Sequence, residues 1–322
     1  LDKIIFISAQ PDITYFHWQV EVFINNAISV GLNPNWIEIL FSYDNEISDY
    51  GKGLIDKYPY VNFFFYKRSI DFNNYIPSIR PDIISQHFKI FKHLEKKTIF
   101  YHDSDIIFRE LPNFKSLTND DTWYFSNTNS YISSDYIKSK SINLFSKMCE
   151  IANIDQNLVE YNNENSGGAQ YLIKGVDYKY WQDVTKVSID LYNYMDSVEK
   201  KERSEMGEEE LKLYNPIQKW CADMWAVFWC GLKINKSIEI SKELDFSWAS
   251  SNIEDWYNNK IYHNAGITDN KDYSVFCKSD YINVFPWDVD FSKIDKKSNT
   301  INYINNILLT KEIKGYNELH IS

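Results

Sequence analysis

Lys97-Thr98-Ile99-Phe100-Tyr101-His102-Asp103-Ser104-Asp105-Ile106-Ile107-Phe108 decides the fold. From Thr98 to His102 the run is short, apolar and aromatic, the pattern of a buried strand. It ends in two carboxylates two residues apart. In extended backbone, residues i and i+2 face the same side, so Asp103 and Asp105 are expected to aim at one spot beyond the strand's carboxyl end. In open α/β sheets ligands sit at that end. Two hard oxygen donors converging there suit a divalent cation, Mn²⁺ or Mg²⁺, with phosphate oxygens to complete the coordination. His102 adjoins the pair but points to the other side of the strand, which gives it a core or supporting role rather than ligation.

Working outward, three further strands are expected before this one, over 3–8, 36–41 and 61–66. Helices are expected over 15–30, closed by Gly31, over 47–57, and from Pro81 through Phe88, Phe91 and Leu94. Strands alternating with helices imply a mostly parallel central sheet flanked by helices. Beyond Phe108 the pattern loosens. Strands are expected over 121–126, 168–174 and 260–264, and helices over 136–154, 178–197 and the Trp-rich 215–232. The charge run over 200–210 reads as a solvated turn. No repeat or low-complexity linker interrupts the chain. We therefore expect a single continuous domain over 1–322, with a nucleotide-binding half to about residue 115 and a helical acceptor half from about 116.

The chain of 322 residues is 44% apolar, which excludes a disordered polymer, and carries a net charge of −11, which argues against broad binding to nucleic acid. Its longest apolar run, Trp225-Ala226-Val227-Phe228-Trp229-Cys230, is too short to span a bilayer. No secretory signal shows in the first residues, where Leu1-Asp2-Lys3 leads straight into a strand, and the missing initiator Met leads us to expect a trimmed or processed N-terminus with room for a segment upstream. The four cysteines, Cys149, Cys221, Cys230 and Cys277, form no C-x-x-C pair, so a reducing, cytoplasmic setting is expected. Asp223 stands alone inside an apolar stretch, where a carboxylate has to be paired, exposed or functional. Gly167 and Gly168 permit positive φ and close backbone approach to a ligand; an ordinary turn is the other reading.

Four features in order resemble the GT-A glycosyltransferases over roughly residues 3 to 268: the strand and turn ending Ile7-Ser8-Ala9-Gln10-Pro11; the D-x-D element Asp103-Ser104-Asp105 with its apolar continuation and Leu111-Pro112; Asn165-Ser166-Gly167-Gly168-Ala169-Gln170; and Tyr262-His263-Asn264-Ala265-Gly266. Within that superfamily the D-x-D, the Leu-Pro and the later Trp-rich helix look most like the peptidyl hydroxyproline and serine glycosyltransferases. The resemblance implies a Rossmann-like GT-A fold and a metal-dependent transfer of a sugar from a nucleoside-diphosphate sugar, a UDP-sugar, to a hydroxyl acceptor. A bound divalent cation stabilises the diphosphate as it leaves.

The resemblance also implies roles. Asp105 would bind the metal, Asp103 the metal or the ribose, and His263 would be a further metal ligand. Ser8, Ala9 and Gln10 at the end of the first strand, Tyr43 with Asp44 at the end of the second, and Arg80 would meet the nucleotide; strand-end polar residues also cap turns. Gly167, Gly168 and Gln170 would contact the transferred sugar. Asp223 would be the general base of an inverting enzyme; a helix-terminal charge or a salt bridge is the competing reading. Two alternatives are a phosphatase of the haloacid dehalogenase type, whose D-x-D normally lies on the first strand, and a glycosyltransferase acting on hydroxymethylated DNA bases. The first departs from this chain, where about a hundred residues precede Asp103; the acidic balance speaks against the second.

Overall fold

The computed structural model describes residues 4–71, 75–268 and 274–321, with side chains described to 313. Lys3, the expected first strand residue, and residues 1–2 lie outside the described residues. In chain order the strands are β1 (Ile4–Pro11), β2 (Ile37–Tyr43), β3 (Asn62–Lys67), β4 (Thr98–His102), β5 (Ile106–Phe108), β6 (Trp123–Asn127), β7 (Gly167–Lys174), β8 (Ile238–Ile240), β9 (Phe246–Trp248) and β10 (Ile261–His263). The chain is mixed α/β with mostly parallel pairing, as expected.

Two compact units interleave along the sequence. One comprises Leu1–Lys67, Ile99–Asn119 and Lys242–Ser322; the other comprises Arg68–Thr98 and Asp120–Ser241. A division near residue 115 into consecutive halves does not describe them.

In the first unit the strand order is β3-β2-β1-β4. β1 pairs parallel with β2, and β2 parallel with β3. Parallel strands buried on both faces need continuous apolar sequence, and β1 (Ile4-Ile5-Phe6-Ile7) supplies it. Helix Thr14–Ser29 connects β1 to β2, and helix Asp49–Lys57 connects β2 to β3. A second, three-stranded sheet of order β5-β10-β9 follows β4. A core of Trp18, Val22, Ile107, Tyr262, Phe276, Trp287, Tyr303 and Ile307 joins the first helix and β5 to the C-terminal segment, including helix Thr300–Ile321.

In the second unit β6 pairs antiparallel with β7 and parallel with β8. Helix Tyr178–Glu205 packs on helix Ile79–Ile90 and on helix Ala222–Lys233. Three expectations are corrected here. The helix over 136–154 is two helices, Ser134–Lys140 and Ile142–Ala152, because Ser141 is extended and caps the second through Oγ at 3.4 Å from Leu144 N. The charge run over 200–210 is not a turn: the helix continues to Glu205, supported by i,i+4 pairs Asp196–Lys200 and Glu199–Arg203 at 2.7 Å each, and a short helix Glu208–Leu213 follows. The Trp-rich helix begins at Ala222, after a 3₁₀ turn Lys219–Cys221, rather than at 215. Among the described residues no helix is long and apolar enough to cross a membrane.

Candidate functional site

β4 ends at His102, so Asp103, Ser104 and Asp105 lie in the turn into β5 and not in the strand itself. The i,i+2 pleat argument fails for that reason. The carboxylates converge nevertheless, because β5 pairs antiparallel with β10 and sets His263 opposite Ile106. Asn264 N extends the ladder by donating to Asp105 O at 2.9 Å. His263 Nε2 then lies 3.3 Å from Asp103 Oδ2 and 3.3 Å from Asp105 Oδ1. One ligand atom from each of the three residues lies within 4.8 Å of the others.

The supports of this group come from the same unit. Ser104 Oγ donates to Gln19 Oε1 at 3.2 Å, tying the turn to helix Thr14–Ser29. Two turns further along that helix, Asn26 acts as a false strand beside β5: its amide donates to Phe108 O at 3.0 Å and its carbonyl accepts from Phe108 N at 2.6 Å. The His263 ring stacks on Trp248 of β9 at 6.4 Å and meets Phe246 edge-on at 5.2 Å. These contacts leave the imidazole little rotational freedom.

The electrostatics are unequal. Asp105 is 4% exposed and Asp103 24% exposed. Burial pushes the Asp105 carboxyl up, but the Lys278 ammonium on Oδ2 and His263 on Oδ1 outweigh it and hold the group well below its ordinary value, hence ionised. Lys278 has no signal in the sequence; it lies in an irregular stretch, far along the chain from Asp105. His102 is fully buried against Phe6, Phe23 and Phe100, and its Nδ1–H donates to Asp103 O at 2.8 Å. Burial drives its pKa down to about 3, so it stays neutral. It occupies the core, as its place beside the pair suggested.

The donor set fits a divalent cation. Two carboxylate oxygens and one imidazole nitrogen make a hard-to-borderline site, better matched to Mn²⁺ than to a soft metal. The buried His263 Nδ1 has no hydrogen-bond partner, and its Nε2 is the ring nitrogen that faces both carboxylates.

The other expected residues fall elsewhere. β1 runs on to Pro11, so Ser8, Ala9 and Gln10 are within the strand rather than at its end; all three are buried. Ser8 Oγ donates to Gln10 Oε1 at 2.7 Å and Gln10 Nε2 to Leu40 O at 3.1 Å, which uses both side chains locally. Just past the strand end is Asp12, which accepts from Ser48 N and Oγ at 2.7 Å each and from His17 Nε2 at 2.7 Å. Tyr43 does close β2 and is half-buried, with Asp44 exposed after it.

In the second unit Arg80 and Asp223 are joined to each other by an ion pair. Asp223 lies in the first turn of its helix, where a negative charge is favoured. It also accepts from Tyr75 Oη at 2.9 Å, and Tyr75 is fully buried and stacked on Tyr192. Use of Asp223 as a base therefore requires this pair to open. Gly167 and Gly168 begin β7, and neither has positive φ; the left-handed residue is Ala169, at φ 68°. Glycine is required at 167 by packing instead: a Cβ there would lie 2.6 Å from both Phe125 Cβ and Ser126 O. Gln170 Oε1 accepts from Ser126 Oγ at 2.7 Å, while its Nε2 is buried without a hydrogen-bond partner.

No family model and no curated protein matches this chain. Similar solved structures are the bifunctional glycosyltransferase WbbM in its apo form (12% identity, 98% of this chain and 51% of that one, TM-score 0.47), mouse xyloside xylosyltransferase 1 in its apo form (8%, 82% and 97%, TM-score 0.38) and an active-site mutant of LgtC (11%, 86% and 93%, TM-score 0.43). The chain spans about half the length of WbbM. Two of these three are named as sugar-transferring enzymes, WbbM as a glycosyltransferase and the mouse protein as a xylosyltransferase.

Proposed function

We propose that this protein is a metal-dependent glycosyltransferase that moves a sugar from a UDP-sugar to a hydroxyl acceptor. The observation that carries the reading is the convergence of Asp103, Asp105 and His263 at the carboxyl end of β4. These three residues would hold Mn²⁺ or Mg²⁺, which when bound supplies Lewis-acid stabilisation of the departing diphosphate. Asp105, buried and ionised, would anchor the ion. Asp103, the more exposed of the two, would reach outward to the ribose or to a water.

Asp223, Arg80, Tyr43, Gly167, Gly168 and Gln170 remain the proposed contacts to nucleotide, sugar and acceptor, and Ser8, Ala9 and Gln10 would act through their backbone. While Arg80 holds the Asp223 carboxylate, a retaining course in which the leaving phosphate takes the acceptor proton is the better match to the ion pair. A pentose or hexose donor and an acceptor hydroxyl on a glycan or protein belong to the same proposal. The four free cysteines support a reducing, cytoplasmic setting.

A phosphatase of the haloacid dehalogenase type fits less well, since its paired carboxylates belong on the first strand and here they follow β4. The test is a donor screen: the protein, Mn²⁺ and a panel of UDP- and GDP-sugars, with nucleotide release measured. We expect release from one UDP-sugar, abolished by EDTA and reduced at least about 100-fold in Asp105→Asn. Undiminished release in that variant removes the metal reading. Hydrolysis of p-nitrophenyl phosphate with no nucleotide release turns the assignment to the phosphatase.

A further inference from the structure

The ligand triad has a fourth charged neighbour. Lys278 opens a 3₁₀ turn, Lys278–Tyr281, and its Nζ donates to Oδ2 of Asp105. The two oxygens of Asp105 are thus shared between His263, on Oδ1, and Lys278, on Oδ2. An imidazole can pass from partner to metal ligand, because it has a lone pair to give. An ammonium cannot: it has three donors and no acceptor.

The backbone that carries Lys278 is well anchored. Phe276 is 2% exposed and belongs to the core around Trp18. It stacks on Tyr281 at 5.2 Å with the rings 9° apart, and Tyr281 O accepts from Trp18 Nε1 at 3.2 Å. The lysine arm itself is 25% exposed. Freedom therefore resides in the four methylenes, which can swing the ammonium away while the turn stays in place.

We propose that Lys278 is a built-in counter-cation of the site: its ammonium sits on Oδ2 of the buried Asp105 carboxylate and holds it in ligating pose, and a divalent ion binds by driving that ammonium off. The inference rests on the proposed metal reading of Asp103, Asp105 and His263. An unpaired carboxylate as buried as Asp105 is costly, and a lysine satisfies it when no ion does. The same contact opposes loading, because an ammonium held on Oδ2 repels a divalent ion arriving beside Oδ1 in a poorly solvated site. Lys278 thus sets the intrinsic metal affinity below what the three ligands alone would give.

The experiment measures Mn²⁺ binding without any sugar donor, by calorimetry and by the electron paramagnetic resonance signal of free Mn²⁺. Wild type, Lys278→Met, Lys278→Gln and Asp105→Asn are compared, with thermal melts to establish folding. Both Lys278 variants are expected to bind Mn²⁺ about tenfold more tightly than wild type, and Asp105→Asn to lose binding. Binding in the Lys278 variants that equals or falls below wild type, with Asp105→Asn still deficient, overturns the counter-cation and leaves the metal reading standing. Wild-type-like binding in Asp105→Asn, or no binding in any protein, overturns the metal reading and the inference with it. A measurement on wild type alone is independent of variant folding: amine-reagent labelling of Lys278, read by mass spectrometry, should rise as Mn²⁺ is added. Labelling that does not change while Mn²⁺ binds overturns the proposal.

Discussion

Asp223 is the residue at which two chemistries compete for one carboxylate. It sits in the first turn of its helix, and the Tyr75 hydroxyl and the Arg80 guanidinium occupy its lone pairs. A general base needs at least one of those lone pairs free when the acceptor arrives. Asn at this position keeps an oxygen for Tyr75 and removes both the charge and the basicity, so Asp223→Asn separates the two roles. If Arg80 is released during turnover, sugar transfer at saturating donor falls about 100-fold in this variant with the donor KM little changed. If the pair is permanent, the rate holds and the melting temperature drops, because Arg80 is left partly buried without its counter-charge. Steady-state kinetics alongside a thermal melt decide between them.

At the scale of elements, Asp103, Asp105 and His263 owe their convergence to a three-residue strand. β5 is too short to hold itself, and helix Thr14–Ser29 holds it through Asn26. Replacing Asn26 by Ala orphans the buried N–H and C=O of Phe108, a cost of about 2–4 kcal/mol for two unsatisfied groups. The β5·β10 register carries His263, so Asn26→Ala should also weaken Mn²⁺ binding, although the residue touches no ligand. Asn306→Ala, which removes one bond of 3.1 Å to the same side chain, is the control and should leave Mn²⁺ affinity unchanged. Equal affinities in wild type and Asn26→Ala would show that β10 is placed without help from the clamp.

The same elements show what sequence can and cannot reveal. The strand 98–102 is legible to the residue, since lysines bound it on one side and the D-x-D on the other. The spot where Asp103 and Asp105 meet was anticipated for a partly mistaken reason: a turn, not the pleat, brings them together. His263 reaches them through a register that no local periodicity encodes, so it was legible only through the family resemblance. The paired glycines advertised backbone freedom, whereas Gly167 answers to the bulk of Phe125 and to Ser126 O, atoms contributed by another strand. Lys278 left no trace, because a single lysine in an irregular stretch looks the same whether it meets solvent or a buried carboxylate.

At the scale of the whole molecule, the interleaving of the two units has consequences for where the chain can be cut. Composition and the βα alternation led to a nucleotide half ending near residue 115, and locally that half is well patterned. Its core, however, is not local. Trp18, Val22 and Ile107 belong to it, but their partners Ala249, Tyr262, Phe276, Trp287, Tyr303, Ile304 and Ile307 arrive only after the chain has built the second unit. Tyr262 and Tyr303 are 0% exposed and stack at 5.8 Å, so the late segment is as much core as β1 is. A fragment 1–115 would expose Trp18 and one face of β5 to water, at about 1.5–3 kcal/mol for each large side chain left unburied, against a net stability of only about 5–15 kcal/mol for an ordinary domain. We expect that fragment to show no cooperative urea transition by tryptophan fluorescence, and the intact chain to show one. Co-expression of 1–115 with 116–322 should restore a transition, because the missing core side chains are then supplied in trans. A fragment 1–115 that unfolds cooperatively on its own would mean that the first four strands and their helices form a sufficient core without the C-terminal segment.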